Sequence, residues 1–198
     1  MLTGLFYLKF FTVYVKAIYA VIVIGAMTEL FNIISVQGGG ENIIWMNIYM
    51  LFETIGVSVF FFKSDHFEKL GKRVISLSIL ALLLTMLGYM SFQESWSGMN
   101  PVLTTLESFF VIILSLSLFW NLLVQQRIER IAKSPIFWIN SALIIYFSGS
   151  VFLFIFSEYL VENDPNAFLQ IWGLHSIFNI TFNVLLTVGF IHSKRATL

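Results

Sequence analysis

A chain of 198 residues that is 58% hydrophobic and 11% charged, with mean hydropathy +0.87, carries less than half the charge of a soluble domain, which is about 25%. Its net charge of zero excludes a basic nucleic-acid surface, and the absence of cysteine excludes disulfides, thiolate metal sites, cysteine nucleophiles and palmitoylation. What remains is a membrane composition, in which spans and short connections use nearly the whole length and leave no soluble catalytic domain.

A span needs about 20 mostly apolar residues, and six windows meet that need: 17–35, 43–62, 74–92, 102–124, 136–159 and 168–191. The predicted fold is therefore all-α, a polytopic transmembrane bundle forming a single domain over 1–198. The aromatic lead-in Leu5 to Lys16 either extends the first helix into the interface or belongs to a preceding helical hairpin; Lys9 and Lys16 then share a face and snorkel towards headgroups. The apolar stretch after Lys16 is too long for a signal peptide and has no clear small-residue cleavage site, so it is expected to be retained. Gln37 to Asn42, with three glycines, reads as a turn. Lys63 to Arg73 ends the second span, and a polar loop with Glu94, Ser97 and Asn100 leads to Pro101, placed to open the fourth. Gln125 to Ala132 suggests an interfacial helical turn, broken by Ser134-Pro135. Glu158 to Asn166 is an expected acidic loop before the last span.

Basic residues fall into four groups: Lys9 with Lys16; Lys63, Lys69, Lys72 and Arg73; Arg127, Arg130 and Lys133; Lys194 and Arg195. With six spans all four lie on one side, while the opposite loops carry only acids such as Glu41, Glu94, Glu158, Glu162 and Asp164. The positive-inside rule makes the basic side, and both termini, cytoplasmic. Cysteines introduced at Ser97 and Asn163 should then label from outside, and one at Ser64 should not.

The last span contains WGLHSIFNITFNVLLTVGF, Trp172 to Phe190, where His175, Asn179 and Asn183 recur at four-residue spacing as one slowly drifting polar stripe. Lipid offers such groups no partners, so the stripe is expected to face other helices or a water-filled cavity. Acids inside other apolar runs, Glu29, Glu53 and Glu107, are the candidate partners. By helical rise Glu29, Glu107 and His175 fall in the outer third, Glu53 and Asn179 near the middle, and Asn183 and Asn140 nearer the cytoplasm. The expectation is a cluster of His175 and Glu107, joined by Glu29 or Glu53 and extended inward by Asn179, able to bind a proton or a small polar ligand. Leu51-Phe52-Glu53-Thr54 and Thr105-Leu106-Glu107-Ser108 echo each other, but two matched positions do not make a repeat.

Imidazole and carboxylate suit zinc, iron or manganese, so His175, Glu107 and Glu53 would be the ligands of any metal ion. The chain has no Glu-x-x-His pair and no His-Glu-x-x-His helix, and His66 and His192 fall in cytoplasmic segments, so no cofactor is expected. No lysine lies near a span centre for a retinal Schiff base, and Asn179-Ile180-Thr181 is too deep to be a glycosylation site.

Ser134 to Phe154, SPIFWINSALIIYFSGSVFLF, and Ile171 to Phe190, IWGLHSIFNITFNVLLTVGF, resemble an uncharacterised family of small bacterial multi-pass membrane proteins. The resemblance covers the last two helices well and the Glu-containing helices loosely. It implies the bacterial inner membrane, a signal-input role beside sensor histidine kinases, and a longer form beginning one helix earlier. The leading reading is a non-enzymatic sensor or signalling partner whose lipid-embedded helices carry the polar cluster and whose basic loops meet a histidine kinase or another membrane protein. A proton- or cation-coupled transporter or channel is the alternative, and an intramembrane metal-dependent enzyme comes third because no nucleophile has an evident base.

Overall fold

The computed structural model describes residues 2–37, 43–64, 66–92, 101–124 and 131–195. Its elements are α1 (Leu2–Tyr7), a 3-10 turn at Leu8–Phe10, α2 (Val13–Gln37), α3 (Ile43–Lys63), α4 (Lys69–Phe92), α5 (Pro101–Val124), a second 3-10 turn at Ile131–Lys133, α6 (Pro135–Asn163) and α7 (Pro165–Arg195). All the elements among the described residues are helical, and six of them, α2 to α7, are long and apolar enough to cross a membrane. The expected glycine turn at 38–42, the polar loop at 93–100 and most of the interfacial turn, 125–130 with Arg127 and Arg130, lie outside the described residues, as do Glu41 and Glu94.

The chain packs as two compact units. Unit 1 is Val13–Asn100; unit 2 combines Leu2–Thr12 with Pro101–Leu198. In unit 1, α2 lies along α3, which also packs on α4. Glycine sets the closest approach, because a Cβ on Gly56 would collide with Val21 Cγ2. In unit 2, α6 is central, with α5 on one side and α7 on the other, and α1 rests on α7.

The lead-in does not continue the first span. Phe11 is extended, at φ −78° and ψ 127°, so Lys9 and Lys16 sit in different elements. The break lets Phe11 bury its ring against Phe190, 5.0 Å away, leaving it 5% exposed, a gain of apolar burial that a straight helix would forgo. The acidic loop also shrinks. Helix α6 runs to Asn163 and α7 begins at Pro165, so only Asp164 lies between them. Its carboxylate accepts the Ala167 N–H at 3.0 Å, an N-cap that starts α7 at once. At the other end of α6, Pro135 occupies the first turn and the Trp138 indole N–H donates to the Ala132 carbonyl at 2.7 Å, fixing the entry of the chain.

Candidate functional site

In unit 1 the polar side chains converge on α3. Glu53 is buried at 8% exposure, and the Tyr49 hydroxyl, one turn earlier, donates to its Oε1 at 3.2 Å. Room for that tyrosine comes from α2: a Cβ on Gly25 would stand 3.0 Å from the ring. Thr54 is fully buried and donates to the Met50 carbonyl at 2.9 Å while lying 3.7 Å from Met86 Sδ of α4. One turn further, Ser58 is buried with no hydrogen-bond partner for its hydroxyl.

Glu29 does not join this group. It is exposed on α2, and the Gly25–Tyr49 and Phe31–Trp45 contacts fix an antiparallel register that sets it about two turns, or ~10 Å, from the level of Glu53.

In unit 2 the centre is His175. Ser150 of α6 lies within hydrogen-bond distance of its Nδ1, at 3.4 Å, and the imidazole is ringed by Trp172 at 5.2 Å, Tyr146 at 5.7 Å and Phe154 at 5.9 Å. It is half-buried. Below it the helices touch closely, since a Cβ on Gly149 would stand 2.5 Å from the Phe178 ring. That contact adjoins the His175 site, Gly149 being next to Ser150 on α6 and Phe178 about one turn from His175 on α7.

On the other side of α6, Glu107 of α5 is 1% exposed and Ser108 is fully buried, its hydroxyl donating to the Thr104 carbonyl at 2.8 Å. The Asn140 amide donates to the Ser115 carbonyl at 3.0 Å, and Phe119 meets Phe137 at 5.8 Å, which sets α5 antiparallel to α6. That register places Glu107 level with Ser148, at about the depth of the Ser150–His175 contact. Asn140 Oδ1 and Ser115 Oγ, both fully buried, have no hydrogen-bond partner.

The predicted stripe divides. His175 turns into unit 2, whereas Asn179 and Asn183 are exposed and bond to each other, the Asn183 amide donating to Asn179 Oδ1 at 2.7 Å and to its carbonyl at 2.9 Å. Four residues advance about 400° on a helix, so a stripe of this spacing drifts ~40° per step and ~80° by Asn183. Of the expected cluster, Glu107 and His175 thus share unit 2 and a depth, Glu29 and Glu53 belong to unit 1, and Asn179 and Asn183 face away from α6.

For Tyr49 the sequence offers the four-residue spacing to Glu53. Ser150 falls in Tyr146-Phe147-Ser148-Gly149-Ser150, whose small and hydroxyl residues suit close helix approach and interhelical hydrogen bonds, but which of them meets His175 depends on the register between two helices. Among the described residues no three His, Asp or Glu side chains lie together as a metal would require. No protein-family model, curated protein or solved structure matches the chain.

Proposed function

We propose that this chain is a multi-pass protein of the bacterial inner membrane, with both termini cytoplasmic, that works as a non-enzymatic sensor or signalling partner. The observation that carries the reading is His175, held half-buried by Ser150 inside a ring of three aromatics and level with the buried carboxyl of Glu107. Imidazole is the side chain that exchanges protons near neutral pH, and it can also donate to or accept from a small polar ligand. A change there acts on the Gly149–Phe178 contact next to it, and hence on how α7 lies on α6. The cytoplasmic end of α7 carries Lys194, whose ammonium lies 6.0 Å from the Phe10 ring of the amino-terminal segment. That packing supports an arrangement with both chain ends on one side, where the basic residues would meet a histidine kinase or another membrane protein.

Trp172 reports the site. A protonated imidazole quenches a neighbouring indole, so tryptophan emission should depend on pH. Trp138 stacks on His192 at 6.2 Å and supplies a second pair for comparison. His175→Gln should abolish a part of that pH dependence that His192→Gln leaves intact, with the melting temperature of His175→Gln close to that of the parent. A titration unchanged by His175→Gln would refute the reading; loss of stability in parallel with loss of the signal would make His175 a structural lock.

Transport is the second reading, favoured by Asn140 Oδ1 and Ser115 Oγ, which lie within α5–α6 two turns from Glu107 and leave an acceptor and a hydroxyl for a passing water or ion. Proton or cation flux in proteoliposomes, abolished by Asn140→Leu, would establish it over sensing.

A further inference from the structure

We propose that Ser115 of α5 and Asn140 of α6 hold one resident water molecule between the two helices, a bridge that fixes how α5 lies on α6. Both residues are fully buried, and both fall inside membrane spans, Pro101–Val124 and Pro135–Phe156. The Asn140 amide is committed to the Ser115 carbonyl at 3.0 Å, which sets the carboxamide against this one residue of α5. Its Oδ1 and the Ser115 hydroxyl have no hydrogen-bond partner among the described residues. Other serines on these helices bond within their own helix: Ser108, Ser117 and Ser141 each donate to the carbonyl one turn earlier, at 2.8 Å. Ser115 does not, although it is as deeply buried as Ser108.

The two atoms define the ligand. Oδ1 only accepts, whereas the hydroxyl donates and accepts, so a molecule between them must donate to the first and bond the second in either sense. A hard cation does not suit the pair, because it takes about six oxygens or more. Here there are two, and positions 110–120 and 136–147 contain no charged residue. Water donates and accepts at once, makes about two to four hydrogen bonds at a buried site, and is small enough for a pair that is closed to solvent. The surroundings keep it in place. One turn to either side of Ser115 stand Val111 and Leu118, and one turn to either side of Asn140 stand Ile136 and Leu143, all four apolar and buried. A water leaving the pair along this face of either helix meets no polar group at the next turn. The site therefore retains water instead of passing it on, which separates this inference from transport through the same two atoms. It also stands independently of the His175 reading.

Crystals of the full chain grown from a lipidic mesophase test the bridge directly. One isolated density peak within hydrogen-bonding distance of both Asn140 Oδ1 and Ser115 Oγ is expected. It should be missing from Ser115→Ala, in which the main-chain carbonyl at position 115 still accepts the Asn140 amide. In lipid bilayers, magnetisation transfer from water protons to the Asn140 carboxamide, read in a chain carrying isotope-labelled asparagine, should be present in the parent and fall several-fold in Ser115→Ala. The parent alone decides the matter where the variant does not fold. Absence of the peak, a direct bond from the Ser115 hydroxyl to the carboxamide, or transfer indifferent to Ser115→Ala would each overturn the proposal. A continuous row of peaks from the pair to a membrane surface would overturn it in favour of transport.

Discussion

Glu53 is the residue on which a bilayer places the sharpest demand. A charged carboxylate at the bilayer centre costs about 2.5–3.5 kcal/mol on insertion scales, and the Tyr49 hydroxyl at 3.2 Å is the partner the fold provides. Glu53→Gln keeps an oxygen that accepts from Tyr49, so its melting temperature in detergent should fall by the equivalent of no more than about 1 kcal/mol. Glu53→Lys offers no acceptor and places an ammonium among apolar side chains, and it should fail to yield folded protein. Equal yields of the two variants would show that Glu53 is not confined. The burial of Glu53 could be read from the chain itself, because an acid near the middle of an apolar run has few tolerated positions, but the same reasoning does not separate Glu107, which is buried, from Glu29, which is exposed. The four-residue spacing of Tyr49 to Glu53 is legible in the chain, whereas the space its ring needs is visible only where α2 passes at Gly25.

Between α6 and α7 the decisive contact is Gly149 against Phe178. Gly149→Ala puts a methyl 2.5 Å from the ring, which must shift, and overpacking of this kind costs about 1–3 kcal/mol. Adding Phe178→Ala should recover part of that loss, so a double-mutant cycle on thermal unfolding should show coupling; strict additivity would place the ring elsewhere. Helix identity was within reach of the sequence because each apolar run exceeds the length needed to cross a bilayer. Helix ends were less so. The acids of Glu158 to Asn166 suggest a loop, yet Asp164 caps the next helix at Ala167 and the connection shortens to one residue. The break at Phe11 had no local signal, since it answers to Phe190, far along the chain.

The proposed sensor reading rests on an orientation of the whole molecule: under the positive-inside rule, six spans and the one-sided distribution of basic residues would set the Asp164 end of α7, and with it His175, outward. Periodicity alone placed His175, Asn179 and Asn183 on one stripe, but helical drift separates them, and only packing shows which part is covered. The structure also refines how orientation is best measured. Ser64 is fully buried and its hydroxyl donates to the Phe61 carbonyl at 2.7 Å, so a cysteine there would stay silent in either orientation. Glu68 and Asn163 are exposed, and three spans, α4, α5 and α6, separate them along the chain, so alternation of the spans would put them on opposite sides of a bilayer. In intact cells an impermeant thiol reagent should label Asn163→Cys at once and Glu68→Cys only after permeabilisation; labelling of Glu68→Cys from outside, with Asn163→Cys protected, would invert the molecule and remove the outward-facing site.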